Sequence, residues 1–266
     1  MMIKRAAVVV LVVVLGLCAG LGTVGVVQVR QAAERMRCKN NVKQFAFAFE
    51  NYLVTYPHFP PGTVRNPDLP VERRLNWVFD IWSFMEAHMV RHERTKAWDA
   101  EGPNRRSAGF TLAVFCCPAN PERTTEEGFG AIHYVGVAGL GEDAARLPAG
   151  HPDAGVFGYD RVTRPEEIKD GRATTLLLVE TTRVLGPAWL AGGPSAVRGL
   201  DPDEEPYLGR DGQFGSLRRA GVLTGAILTH ALMADCSIRA LRQDIDPSVL
   251  RALATIAGGE EVPADW

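Results

Sequence analysis

AAVVVLVVVLGLCAGLGTVGVV (residues 6–27), then QVRQAAERMRCKNNVKQFAFAFENYLVTY (28–56), then PHFPPG (57–62): this opening decides how the chain is organised. The first segment is 22 residues without a charge. As a helix it would be ~33 Å long at ~1.5 Å per residue, which matches a bilayer core of ~30 Å. A lone helix satisfies its own backbone in lipid. Lys4 and Arg5 precede the segment and Arg30 follows it, so the positive-inside rule places residues 1–5 in the cytoplasm and the bulk of the chain outside. A cleaved signal peptide usually has a shorter apolar run and a small-x-small site. Cys18 would suit a lipoprotein only with a small residue before it, and Leu17 stands there. The reading adopted is an uncleaved single-pass anchor. Gly16 and Gly20 form a GxxxG pair that can seat another helix closely.

Past Gln28 the pattern becomes amphipathic. Met36, Val42, Phe45, Phe49, Tyr52, Leu53 and Tyr56 recur at spacings of three and four, with a slip between Met36 and Val42. Arg35, Lys39, Lys43 and Glu50 fall largely between them. That is one buried helical stripe, expected to bury Phe45, Phe49, Tyr52 and Leu53. No Gly or Pro interrupts residues 26–56, so membrane helix and spine should be one rod of ~50 residues, stopped by Pro57, Pro60 and Pro61.

Residues 57–266 have the size of one domain with its own core. Helices are expected over 76–92 and, capped by Asp246, over 247–257. Strands are expected at 111–117, 132–137 and 174–180, with a hairpin from 226–233 and 237–241 around Ala234-Asp235-Cys236. Long loops fill 138–165 and 191–220. The net charge of −2 offers nothing to nucleic acid. The fold class is therefore α+β: a long N-terminal helix packed on a small antiparallel sheet with long loops.

Several blocks in fixed order resemble the DUF1559 family, prepilin-like proteins related in architecture to type II secretion pseudopilins. They are Arg37-Cys38-Lys39-Asn40-Asn41-Val42-Lys43-Gln44, Asn51-Tyr52, Phe59-Pro60-Pro61-Gly62, Trp77, Cys117-Pro118-Ala119-Asn120, Tyr134-Val135-Gly136, Gly155-Val156-Phe157, Ile168-Lys169-Asp170-Gly171, Thr175-Leu176-Leu177 with Glu180, and Asp235. The resemblance covers roughly residues 29–260. It implies a pilin-like fold, a non-enzymatic structural or interaction role in the cell envelope, and partners that include the bilayer and other pilin-like subunits met through the N-terminal helix. Two features depart from the family. The Gly-Phe-Thr-Leu-Ile-Glu leader signature does not occur, so permanent anchoring is expected. The C-terminal His and Gly of the family pattern are Gly225 and Cys236 here, with only Asp235 kept.

Outside the cytoplasm disulfides persist. Cys38 and Cys117 occupy the family's cysteine positions, and Cys116 and Cys236 are additional. The resemblance pairs Cys38 with Cys117 and leaves Cys116 for Cys236, each bridge contributing ~2–4 kcal/mol. Zinc is not expected: no Cys-x-x-Cys occurs, and His133 is the imidazole nearest Cys117 in sequence. Ser237, His230 and Asp235 crowd one hairpin without a nucleophile-elbow pattern. His88 and His92 are four apart but lack the HExxH glutamate. No cofactor is expected. Calcium at Asp201, Asp203, Glu204 and Glu205 is a minor reading, because some pseudopilins hold it in C-terminal loop carboxylates. The alternative to a structural role is a membrane-tethered ligand-binding module or hydrolase with its site outside the cytoplasm.

Overall fold

The structure is a computed structural model; it describes the backbone of residues 2–85, 91–217, 227–263 and 266, and the side chains of these from residue 26 onward. One continuous helix, α1, runs from Met2 to Thr55 and stops two residues before Pro57. Cys38, Val42, Phe45, Phe49 and Tyr52 are all buried, at spacings of four, three, four and three. The slip in the sequence pattern is resolved by Cys38, which takes the inward position; Met36 is 68% exposed. Leu53 is partly buried against the core. No residue from 26 to 37 is buried, so the helix leaves the head before its apolar part begins. Among the described residues no helix is long and apolar enough to cross a membrane. Nearly all of the apolar stretch 6–27 lies outside the residues whose side chains are described.

The head is built on a five-stranded sheet of order β3-β1-β2-β4-β5. The strands are β1 Tyr134–Leu140, β2 Leu176–Glu180, β3 Val197–Leu200, β4 Leu228–Met233 and β5 Ile238–Arg242. β1–β2, β2–β4 and β4–β5 are antiparallel, whereas β3 runs parallel to β1. The sheet is therefore mixed, not antiparallel as expected, and β3 lies inside a stretch read as loop. The long connection from β1 to β3 permits the crossover that parallel pairing needs.

Both faces of the sheet are covered. Tyr134, Ala138, Leu178 and Leu232 pack toward α1. Val135, Val137, Val179, Ala231 and Met233 pack with Leu250 and Leu253 of the C-terminal helix α4, Pro247–Ala254. Asp246 caps α4 by accepting the Ser248 N–H, and the helix ends three residues earlier than expected. The inner strands β1, β2 and β4 are buried on both faces and are largely apolar, whereas edge strand β5 leaves Arg239, Ala240 and Arg242 exposed.

Two other elements differ from expectation. Over 76–85, the described start of the expected 76–92 helix, there is one α-turn, α2 Val78–Ile81, and a 3-10 turn, Trp82–Phe84, after which Met85 is extended; residues 86–90 lie outside the described residues. The helical spacing of Trp77, Val78, Ile81 and Trp82 reflects insertion of two short turns into the core. The 111–117 segment is a 3-10 turn, Ala113–Phe115, between extended residues. Its carbonyls go elsewhere than to a neighbouring strand: Asn41 Nδ2 donates to those of Ala113 and Cys116, and His133 N–H donates to that of Phe115. A short helix, α3 Pro103–Ala108, completes the helices described.

Candidate functional site

Two places in the head gather side chains with chemistry. The first lies where α1 meets the sheet. Cys38 projects from α1, Cys117 from the segment after the Ala113–Phe115 turn, and Glu180 from the end of β2. The two Sγ atoms and a Glu180 carboxylate oxygen all lie within 4.8 Å of one another, and all three residues are buried. Two thiols with one carboxylate could close a bridge or, as thiolates, serve a soft or borderline metal ion.

The surrounding groups hold this cluster in place. Glu180 Oε2 accepts the His230 N–H at 2.7 Å and lies 3.4 Å from His230 Nδ1. The Cys117 N–H donates to His133 Nδ1 at 2.9 Å, so the ring's proton sits on Nε2, which donates to the Glu122 carbonyl at 2.6 Å. Burial lowers the His133 pKa to about 4, and the ring stays neutral. Burial first, and the Glu180 carboxylate second, push the Tyr134 phenol well above its ordinary value.

No disulfide joins the four buried cysteines Cys38, Cys116, Cys117 and Cys236 in the structure. The backbone of Cys116 is held by Asn41, and its Sγ faces the Ala131 carbonyl at 3.7 Å. Cys236 turns between β4 and β5 at φ 65°, with Glu50 and Arg172 as charged neighbours. Burial raises the Cys116 thiol to about 11 and the Cys236 thiol to about 12.

The second place is a cleft of about 660 Å³. The end of α1, the His58–Pro61 turn, the Phe79–Ser83 turns, His92, Arg94 and Val162 form it. Asp80 lies in its wall with its side chain 9% exposed, ion-paired to Arg94 at 2.6 Å. Burial raises the Asp80 pKa, against the Arg94 hydrogen bond and charge, which lower it.

The remaining motif positions are structural. Asn41 ties α1 to the Ala113–Cys116 turn, and Asn40 is exposed. Pro60 is buried and Pro61 half-buried in the turn after α1. Gly62 lets that turn lie against Gly158: a Cβ there would stand 2.9 Å from the Gly158 carbonyl and 2.9 Å from Val197. Asp170 accepts the N–H groups of Gly258 and Gly259, and Gly171 takes φ 93° beside it. Asp235 accepts the Ser237 N–H within the β4–β5 turn.

The rejected catalytic sets stay apart. The ionic neighbour of His230 is Glu180, not Asp235. His92 is in no helix, and His88 lies outside the described residues, as does Gly225. Glu204 pairs with Arg183 at 2.8 Å, and Asp201 accepts the Asp203 N–H. Among the described residues Asp201, Asp203, Glu204 and Glu205 do not gather three ligands round one point, as Cys38, Cys117 and Glu180 do.

A long helix laid on a mixed sheet, with a thiol–carboxylate cluster at their junction, defines an α+β helix-on-sheet protein. The profile of SBP_bac_10, described as a protein of unknown function (DUF1559), matches residues 27–200, well over half of the chain. The chain belongs to that family. No curated protein and no solved structure matches it.

Proposed function

We propose that this chain is a non-enzymatic, pilin-like structural or interaction protein of the cell envelope. Residues 6–27 anchor it in the bilayer, residues 1–5 lie in the cytoplasm, and the head stands outside. The observation that carries the reading is the division of labour along α1. Its C-terminal stretch, from Cys38 to Tyr52, turns one face into the core, while none of residues 26–37 is buried as the helix leaves the head. A helix that continues from there into 22 residues without a charge has lipid as its natural solvent. The role is mechanical: the aromatic stripe fixes the head to the rod, and the rod fixes the head to the membrane. A bridge between Cys38 and Cys117 would staple rod to sheet at that junction; the proximity of the two sulfurs supports it.

Fractionation of cells producing the native chain, followed by N-terminal sequencing and non-reducing mass analysis, tests the proposal. The expected result is a carbonate-resistant membrane protein with an intact start, one Cys38–Cys117 bridge, and Cys116 and Cys236 alkylated only after denaturation. Recovery of the full-length chain from the soluble fraction would end the anchoring reading. A specific observation, the cleft beside Asp80, favours ligand binding as a second role of the head.

A further inference from the structure

Cys38, Cys117 and Glu180 come from three distant segments of the chain, and the fold closes them into one buried triangle. Their exposures are 0%, 4% and 1%. The two Sγ atoms and a carboxylate oxygen all lie within 4.8 Å of one another. The centre of such a triangle is about 2.8 Å or less from each atom, against ~2.3 Å for a zinc–thiolate bond and ~2.0–2.2 Å for a zinc–carboxylate bond. Small inward turns of the three side chains close the difference. A disulfide uses the two sulfurs and leaves the carboxylate out, whereas a metal ion uses all three groups.

The Tyr134 hydroxyl is a second, independent sign. Tyr134 is 1% exposed, and its hydroxyl is sealed from solvent without a hydrogen-bond partner. The neighbouring Asn41 amide donates to the Ala113 and Cys116 carbonyls. The charged forms of Glu180, Cys117 and Cys38 are the electrostatic neighbours of this phenol. A buried O–H needs an acceptor, and a metal-bound thiolate is a stronger one than a neutral thiol. Two of the ligand residues are also held from behind. Glu180 Oε2 accepts the His230 N–H, and the Cys117 N–H donates to His133 Nδ1. Such outer contacts orient the ligands of a metal site.

The donor set selects the ion. Calcium and magnesium take oxygen ligands and turn away from thiolates. Copper(I) is selected by soft sulfur, and a carboxylate oxygen suits it poorly. Zinc accepts both donors. We propose that the reduced chain binds one zinc(II) ion through Cys38, Cys117 and Glu180, with the Tyr134 hydroxyl hydrogen-bonded to these ligands. Three protein ligands leave the fourth position of zinc to a water. Binding releases the two thiol protons to solvent. The ion joins α1 to β2 and to the segment after the Ala113–Phe115 turn. Zinc and the bridge are alternative states of one pair: the dithiol binds the ion and the bridged chain does not. The site stands on the head alone and holds whether or not residues 6–27 enter lipid.

The test titrates the full chain in lipid nanodiscs with zinc sulfate against a chromophoric chelator, under a phosphine that keeps the thiols reduced. One zinc per chain is expected, and the melting temperature should rise by about 5 °C or more at zinc a hundredfold above Kd. A chain keeping only Cys38 and Cys117, its other cysteines replaced by alanine, should bind as the parent does. Glu180→Gln should weaken binding about tenfold or more, and Cys38→Ser should abolish it. Cobalt(II) added to the unmutated chain gives a readout that no variant's folding can disturb. Thiolate-to-cobalt charge-transfer absorption is expected in the near ultraviolet, and it should vanish once diamide has closed the bridge. Zinc below one equivalent, cobalt without that absorption, or zinc affinity in Cys38→Ser within twofold of the parent would overturn the proposal. Fractionation bears on anchoring and leaves these readouts unmoved, so the two readings fail separately.

Discussion

Replacing Phe45 by Ala, beside the same change at Phe47, tests how α1 is seated. Phe45 is fully buried, with ring centroids of Tyr134 at 5.2 Å, Trp77 at 5.7 Å and Phe115 at 5.9 Å. Its truncation removes the transfer energy of a phenyl ring and leaves a cavity walled by three rings too large to collapse inward. A cost of about 3–5 kcal/mol follows. For a head of this size, each kcal/mol shifts the melting temperature by about 2–4 °C, so Phe45→Ala should melt roughly 6–20 °C lower. Phe47, two residues on, is 62% exposed, and Phe47→Ala should stay within about 0.5 kcal/mol. The assay is tryptophan fluorescence of the full chain in nanodiscs during heating. Trp77 and Trp189 are fully buried in the head, so the signal reports head packing and not the helicity of the rod. Equal losses from the two variants, or a Phe45→Ala transition within 2 °C of the parent by the same scale, would refute the register of α1 on the sheet.

Acid should loosen the head before its carboxylates protonate. Burial lowers the pKa of His133 to about 4. The unfolded chain therefore takes up this proton near pH 6.5 while the folded one resists until about pH 4. The stability tied to neutral His133 is complete above pH 6.5 and is lost as pH falls toward 4, by up to about 1.4 kcal/mol per pH unit. Melting curves from pH 7 to 5 should show the decline, and His133→Asn, which keeps an acceptor for the Cys117 N–H, should reduce it, leaving the part due to His92, which burial also lowers to about 4. Asp170→Ala should cost about 1 kcal/mol by releasing the Gly258 and Gly259 amides. Hydrogen exchange should then speed up at residues 255–262, while exchange in β2 stays as it was.

Much of the fold is legible where a period runs long enough to be read. The rod and its stop are written in the sequence, as are β2 and the β4–β5 hairpin, because uninterrupted apolar runs there end at turn residues. Even so, the inward position nearest the N-terminus belongs to Cys38, a thiol that counts as a small apolar group once buried, while the larger Met36 is 68% exposed. β3 escapes such reading because Val-Arg-Gly-Leu is four residues long, and its Arg198 is satisfied by the carbonyls of Pro194 and Arg183 and the Thr181 hydroxyl. The members of the thiol–carboxylate cluster were visible but their meeting was not: Cys38, Cys117 and Glu180 all carry a family signal, yet no sequence spacing brings the three, far apart in the chain, to one point. The cleft could not be read at all. Its wall comes from segments around residues 52–61, 79–83, 92–94 and 162, brought together by tertiary packing without a local pattern.

These two sites sit differently in the scaffold, and the difference bears on what the head can do. The joints of the molecule coincide with motif positions. Asn41 ties the rod to the 3-10 turn, and Gly62 seats the turn after the rod against Gly158. Asp170 holds the segment after α4, and Glu180 anchors β2 to β4 beside the two cysteines. Asp80 and His92, in the cleft wall, belong to none of these joints, whereas Trp82 packs on Phe115, which also meets Phe45 of the rod. Asp80 is tied by its side chain only to the mostly exposed Arg94, and His92 follows the short turns rather than entering the sheet. Changes at Tyr52 or Trp82 therefore reach the seating of the rod, since energies add nearly independently only at sites without shared partners, and Trp82 and Phe45 share Phe115.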